Sequence, residues 1–269
     1  MKRLFAIDLD GTLLTNNKKL PSGAKSCFLD IQDTGDVVLF MTGRTYEQTG
    51  KYIRALGVDG MVICNDGRYI LKTDGTIVDK CADLNYLDVQ VIIKSLKALK
   101  RMYYVLAFRK ETEYIVSFNL MSLAVFVYKR LIRKKKIEFT WGFKQSNSLQ
   151  DLDKLIIGCK NRNHIFERLN STLGKRYNIF NLQDENKIQI SGLEANKLYA
   201  LKKVQMMLDI SDECVYVFGN DGNDERVLEY YQNSFAVSNA CRHIRNVAKE
   251  VIGSNENGAV IIKLNELRG

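Results

Sequence analysis

The sequence predicts an α/β protein, a Rossmann-like parallel-sheet core domain with an inserted α+β module. Three observations carry this expectation. Short apolar segments alternate strictly with helix-like stretches over the first third of the chain, as parallel strands joined by crossover helices require. The same alternation resumes at Lys197. Between the two, paired strands interleave with helices, which is the pattern of a separate open-faced α+β unit.

The elements follow in order. A strand at Leu4–Ile7 leads to a helix that opens near Pro21-Ser22 and closes at Gly35, since Pro and Ser start helices and Gly ends them. A strand at Val37–Met41 is followed by a helix from Thr45 to Leu56, closed by Gly57, and a strand at Met61–Cys64. Asp74-Gly75, flanked by Tyr69–Leu71 and Thr76–Val78, is a hairpin signal because both turn residues tolerate positive φ. The middle region reads as a helix (Leu87–Lys100), strands at Tyr103–Phe108 and Tyr114–Phe118 joined through Arg109–Glu113, and a basic helix (Met121–Lys136). A strand at Leu155–Cys159, a helix (His164–Leu173) and strands at Asn178–Asn181 and Lys187–Ile190 complete it. Beyond it come a helix from Lys197 to Leu208, a strand at Val215–Gly219, a helix from Glu225, a strand at Ser234–Val237, a helix over Arg242–Val251 and the tail Ala259–Leu267.

Composition narrows the chemistry. The six cysteines are scattered with no Cys-x-x-Cys pair, and only His164 and His243 are present. Disulfide frameworks, zinc sites and serine–histidine triads are therefore not expected. No apolar run approaches the roughly 18 residues of a membrane span, and Asp8 interrupts the opening Met1–Ile7 before it reaches signal-peptide length. A cytoplasmic protein is expected. The net charge of +9 suggests an anionic partner. Its densest run, Lys129, Arg130, Arg133, Lys134, Lys135 and Lys136, reads as a solvated helix end, with no nucleic-acid-binding motif around it.

In an open parallel sheet the ligand site lies beyond the carboxyl ends of the strands. Four such ends carry polar residues: Asp8-Leu9-Asp10-Gly11-Thr12, Thr42-Gly43-Arg44, Asn65-Asp66-Gly67 and Gly219-Asn220-Asp221-Gly222-Asn223-Asp224. Lys197 opens the helix before the last of them. Strand alternation puts Asp8 and Asp10 on one side, where two like charges need a cation or a shared proton. One carboxylate can then attack while the other moves protons or helps hold a metal. Taken singly, each segment also reads as an ordinary polar turn.

This ordered set resembles the haloacid dehalogenase superfamily, in particular its Cof-type phosphatases with a large α/β cap. Asp8-x-Asp10-Gly11-Thr12 matches the first motif, Thr42-Gly43-Arg44 the second, Lys197 the third and Gly219–Asp224 the fourth, with Ser254–Ala259 following. The resemblance implies a core domain of residues 1–81 and 188–269 and a substrate-selecting cap of residues 82–187. It implies a Mg²⁺-dependent phosphatase acting on a small phosphorylated metabolite, with neither nucleic acid nor membrane as partner. Asp8 would be the nucleophile and Asp10 the acid–base group, with Lys197 neutralising charge. Gly11, Thr12, Thr42, Gly43, Arg44, Asn65 and Asn223 would bind substrate, and Asp8, Asp10, Asn220 and Asp224 would hold the metal. In the cap, the basic loop residues Arg109 and Lys110 are candidates for substrate selection.

Two positions leave the family pattern. The fourth motif usually begins Gly-Asp, whereas Asn220 stands here, so a charged oxygen is lost and Asp221 is a possible substitute. Asp66 stands where relatives commonly place glycine. Three alternatives stay open at this stage: a phosphomutase of the phosphomannomutase type, a phosphate-binding regulatory protein with little turnover, and nucleic-acid binding through the basic helix, which would weaken steeply with salt.

Overall fold

A computed structural model of the chain describes residues 2–81, 84–98, 102–109, 112–117, 119–132, 137–139, 149–182 and 187–268. The first stretch forms β1 (Leu4–Asp8), α1 (Ala24–Asp33), β2 (Val37–Met41), α2 (Tyr46–Leu56), β3 (Met61–Cys64), β4 (Tyr69–Lys72) and β5 (Ile77–Lys80). Next come α3 (Tyr86–Ala98), β6 (Tyr103–Arg109), β7 (Thr112–Ile115), α4 (Leu120–Val127), β8 (Ile137–Phe139), β9 (Lys154–Cys159), α5 (Arg162–Leu173), β10 (Tyr177–Leu182) and β11 (Lys187–Gly192). The last stretch forms α6 (Lys197–Met207), β12 (Val215–Gly219), α7 (Glu225–Tyr230), β13 (Asn233–Val237), α8 (Arg242–Val247), β14 (Glu250–Ile252) and α9 (Ala259–Arg268). The chain divides into two compact units, Met1–Cys81 with Glu194–Gly269, and Ala82–Leu193.

The first unit is built on a sheet ordered β14-β13-β12-β1-β2-β3-β4-β5. Pairing is parallel from β14 to β3 and antiparallel through β4 and β5. β1 lies between β2 and β12, with Ala6 opposite both Leu39 and Val217, and all five of its residues are buried. A strand inside a parallel sheet is covered on both faces, which is why it reads as one unbroken apolar run. Packed on β2, α1 buries Ala24, Cys27, Phe28 and Ile31, spaced as one helical face. Ahead of β1 and β2, the Arg3 side chain meets the Asp36 carboxylate at 2.7 and 2.9 Å.

The second unit is a sheet ordered β10-β11-β9-β6-β7-β8, antiparallel except for the β7–β8 pair. Its core gathers Val89, Ile92 and Leu96 from α3 with Ile165 and Leu169 from α5. A buried polar point joins the two ends of this unit, where Tyr177 donates to Asp88 at 2.6 Å. None of the described helices is long and apolar enough to cross a membrane.

Several expected boundaries move. β11 pairs with β10 as far as Gly192, so the inserted unit ends at Leu193 rather than at 187. The helix expected over Arg242–Val251 stops at Val247, because Ala248 turns to ψ 150 and Glu250–Ile252 adds to the sheet as β14. The basic helix becomes α4 plus a wider turn at Tyr128–Ile132, with Arg133 and Lys134 to Lys136 outside the described residues. Lys110, Phe118, Leu99 and Lys100 also lie outside them. Arg109 donates to the Tyr114 hydroxyl at 2.6 Å within the second unit.

Candidate active site

β1 delivers Asp8 as its last residue, and the chain then turns, with Leu13 N–H returning to the Asp8 carbonyl at 3.2 Å. Strand alternation therefore does not carry through to Asp10, which stands in the turn, and the two carboxylates are served separately. Asp8 is buried, and its Oδ1 accepts from Lys197 Nζ at 2.7 Å. Asp10 is half-buried and gripped by Arg44, Nε to Oδ2 at 2.5 Å and Nη2 to Oδ1 at 2.6 Å. Lys18 Nζ adds a third contact to Oδ1 at 2.7 Å.

These surroundings push the two acids apart. Burial raises the Asp8 carboxyl to about 7, with the Asp224 charge adding to it and Lys197 opposing. Burial works to raise Asp10 too, but the hydrogen bonds and charges of Arg44 and Lys18 prevail and hold it below its ordinary value. Lys197 has a fully buried side chain. Burial alone would lower its pKa, yet the charges of Asp224, Asp8 and Asp66 raise it. An ammonium with that many acidic neighbours stays charged in a dry site.

Asp224 is fully buried, and its oxygens are taken by donors of its own surroundings. Oδ1 accepts from Lys197 Nζ at 2.7 Å, and Oδ2 from the backbone N–H of Asn220 at 2.9 Å and of Asp221 at 3.2 Å. It thereby folds the 219–224 loop around the lysine. Asp221 turns inward on the same loop, accepting from the Gly222 N–H at 2.7 Å.

β2 and β3 bring up the second group. Thr42 is buried, its Oγ1 accepts from the Arg44 N–H at 3.1 Å, and its carbonyl accepts from the Asp66 N–H at 3.0 Å. Asn65 donates its N–H to the Arg44 carbonyl at 2.9 Å. Asp66 is buried with φ 57, and Asn223 Nδ2 donates to its Oδ1 at 2.7 Å. That same oxygen would lie 2.9 Å from a Cβ at position 43, so Gly43 leaves the room Asp66 occupies. Gly67, at φ +97, would press a Cβ to 2.2 Å from the Asn196 carbonyl. Only glycine lets this turn pack against the backbone where α6 begins. Asn196 caps that helix by accepting from the Tyr199 N–H at 2.8 Å, which fixes the start of the turn that carries Lys197.

Asn220 closes the arrangement. One end of its carboxamide lies 3.2 Å from Asp8 Oδ2, 2.9 Å from the Asp10 carbonyl and 3.0 Å from Thr12 Oγ1. With oxygen at that end, Asn220, Asp8 and the Asp10 carbonyl form an all-oxygen set of the kind a hard divalent cation takes. The oxygens of Asp224 are occupied by Lys197 and by the Asn220 and Asp221 N–H groups, and no group of three or more His, Cys, Asp or Glu side chains converges as metal ligands among the described residues.

Further residues support the site. Asn239 Nδ2 donates to the Gly11 carbonyl at 2.8 Å, and buried Asn255 donates to the Leu14 carbonyl at 2.9 Å. Asn255 lies in the Ser254–Ala259 segment expected from the sequence, whereas Asn239 was not singled out there, nor was Lys18, which sits at φ 57 in a short turn. The Asn-Asn-Lys-Lys run at 16–19 was the available signal, since Asn favours such turns.

The sequence profile of haloacid dehalogenase-like hydrolases matches residues 5–264 of the chain. A Bacillus subtilis protein, 5-amino-6-(5-phospho-D-ribitylamino)uracil phosphatase YitU, is 22% identical over 98% of this chain and 96% of its own length. Among solved structures, SMU.1108c from Streptococcus mutans UA159 superposes with a TM-score of 0.81 at 16% identity, covering 100% of both chains. A haloacid dehalogenase-like hydrolase from B. subtilis gives a TM-score of 0.76 at 20% identity, covering 98% of this chain and 99% of that one. At these identities the structural likeness speaks for the fold.

Proposed function

Because the chain belongs to the haloacid dehalogenase-like hydrolase family and is a hydrolase of its phosphatase kind, we propose that it cleaves small phosphoric monoesters through a covalent aspartyl-phosphate. The observation that carries this reading is the Asp8–Lys197–Asp224 cluster, buried at the carboxyl edge of β1 and β12 with 2.7 Å contacts on both sides of the lysine. Such a lysine is held where charge develops, without the reorganisation that water would need.

An Asp8 oxygen attacks phosphorus, the ester P–O bond breaks, and the departing alcohol oxygen takes a proton. Water then attacks the aspartyl-phosphate, its P–O bond to Asp8 breaks, and phosphate leaves. Lys197 keeps Asp8 aimed and offsets the negative charge of the phosphoryl group. Thr42, the Gly43 N–H, Arg44 and Asn223 supply donors to its oxygens, together with the turn at Gly11 and Thr12 and the adjacent Asn65. Asp10 handles the protons. Arg44 and Lys18 hold it anionic, the form that takes a proton from water in the second half, and substrate must draw those cations away before it donates in the first. Asp8, the Asp10 carbonyl and Asn220 would hold Mg²⁺, which supplies charge neutralisation between an anionic nucleophile and an anionic ester. The inserted unit acts as the substrate-selecting cap, and the substrate class is sugar phosphates and related monoesters.

The test is a panel of such esters, including the phosphoribitylamino compound for which the B. subtilis relative is named, assayed with Mg²⁺ and with Asp8→Asn as control. Turnover should fall at least 10³-fold in Asp8→Asn, and acid-quenched wild-type enzyme should retain label from phosphate-labelled substrate. Near-wild-type turnover by Asp8→Asn would overturn the covalent route.

A further inference from the structure

The carboxamide of Asn220 stands among acceptors. At the end that faces the β1 loop it meets Asp8 Oδ2 at 3.2 Å, the Asp10 carbonyl at 2.9 Å and Thr12 Oγ1 at 3.0 Å. If oxygen occupies that end, Thr12 donates to it at 3.0 Å, but Asp8 and the Asp10 carbonyl are left opposing it, oxygen against oxygen. If nitrogen occupies it, two N–H hydrogens are shared among three acceptors, the Thr12 hydroxyl oxygen among them. The two ends of an amide are nearly the same size, so a half-turn about Cβ–Cγ exchanges them within one packing envelope. The envelope is tight, because a Cβ on Gly11 would come within 2.6 Å of the Asn220 nitrogen.

We propose that Asn220 is a two-position residue whose amide nitrogen takes the cation's place between Asp8 and the Asp10 carbonyl, and whose oxygen replaces it there when a divalent cation binds. The inference rests on the reading of this loop cluster as the phosphatase site. An aspartate at 220 has oxygen at both ends and would leave three acceptors facing one another until a cation arrived. This chain closes the same loops with its own hydrogen bonds. A cation must first displace those bonds, so metal binding is weaker but the metal-free site is already ordered.

The experiment measures thermal unfolding and Mg²⁺ binding on the full chain, by melting curves in EDTA and calorimetric titration with Mg²⁺ alone. Wild type should melt within about 2 °C in EDTA and in millimolar Mg²⁺. Asn220→Asp should melt at least about 5 °C lower than wild type in EDTA, following the loss of hydrogen bonds to charged groups. It should recover with Mg²⁺ and bind it at least tenfold more tightly. Failure of Asn220→Asp to fold without Mg²⁺ is the extreme form of the same result. Asn220→Leu, which neither donates nor ligates, should lose stability in EDTA and regain none with Mg²⁺. A wild type that loses as much in EDTA as Asn220→Asp, or an Asn220→Leu as stable as wild type, would overturn the proposal. Neither readout involves turnover, so a failed ester panel would strike the phosphatase reading and leave this result standing.

Discussion

Replacing Lys197 by Met tests the electrostatic centre of the site. Methionine keeps the apolar stem and removes the ammonium that lies 2.7 Å from both Asp8 and Asp224, all three side chains being no more than 6% exposed. Removing one member of a buried charge pair costs about 3–5 kcal/mol, or about 6–20 °C for a chain of this size at roughly 2–4 °C per kcal/mol. The cost must also grow with pH. Asp8 is raised to about 7 in the fold, so its stabilising contribution is full below the ordinary carboxyl value and is lost as pH rises through 7. Without the lysine the folded value lies higher still, and the two proteins diverge only above pH 7, by up to about 1.4 kcal/mol per unit. Melting curves in EDTA at pH 6.5 and 8.5 should therefore show a deficit that is larger at pH 8.5 by roughly 2 kcal/mol, or about 4–8 °C. A deficit equal at both values, or a variant within about 2 °C of wild type, would refute the reasoning.

Asp66→Asn keeps the acceptor for Asn223 and removes one negative charge from the surroundings of Lys197; KM for a simple phosphate ester should fall about tenfold, equivalent to ~1.4 kcal/mol of like-charge repulsion, and an unchanged or higher KM would count against it. Gly67→Ala forces a Cβ against the Asn196 carbonyl at positive φ; stability should drop by roughly 3 kcal/mol or more in denaturant unfolding, with turnover falling alongside as α6 shifts, and a stable, active variant would show that the close approach is not needed. Burial works to raise Asp36, but its hydrogen bonds with Arg3 prevail and hold it below the ordinary value. Its stabilising contribution is therefore present above that value and lost as pH falls through the folded one. Asp36→Asn should cost about 1 kcal/mol at pH 7, narrowing toward pH 3, and a gap that widens in acid would reverse the sign.

What was legible in the sequence was what hydrophobic continuity and turn chemistry encode. β1, β2 and β12 lie inside the parallel part of the sheet and β3 closes it, and each reads as an apolar run ended by polar residues. The loops at the carboxyl ends of those strands were legible for the same reason, and Asp8, Lys197, Asp224 and Asn220 are brought together there. β8 and β14, three residues each, were not, because an edge strand that short has no periodicity to detect. The end of α8 was hidden because no Gly or Pro follows Val247 until Gly253. Pairing between loops was equally silent: nothing in residues 16–19 specifies that Lys18 reaches Asp10, and nothing at Asp66 specifies Asn223. Such contacts are set by tertiary placement.

The ion pair at the heart of the site also has a history within each newly made chain. Asp8 and Lys197 are separated by 189 residues, which a ribosome adding about 5–20 residues per second takes roughly 10–40 s to produce. Throughout that interval β2 is available to β1 but β12 is not, so one edge of the future central strand stays open, and its terminal carboxylate must remain in water. The second unit is emerging meanwhile, and its ladders, including β6 with β7 and β10 with β11, join neighbours in the chain. Local ladders close sooner than distant ones. The acid of the eighth residue is thus sealed in only after its lysine has left the exit tunnel.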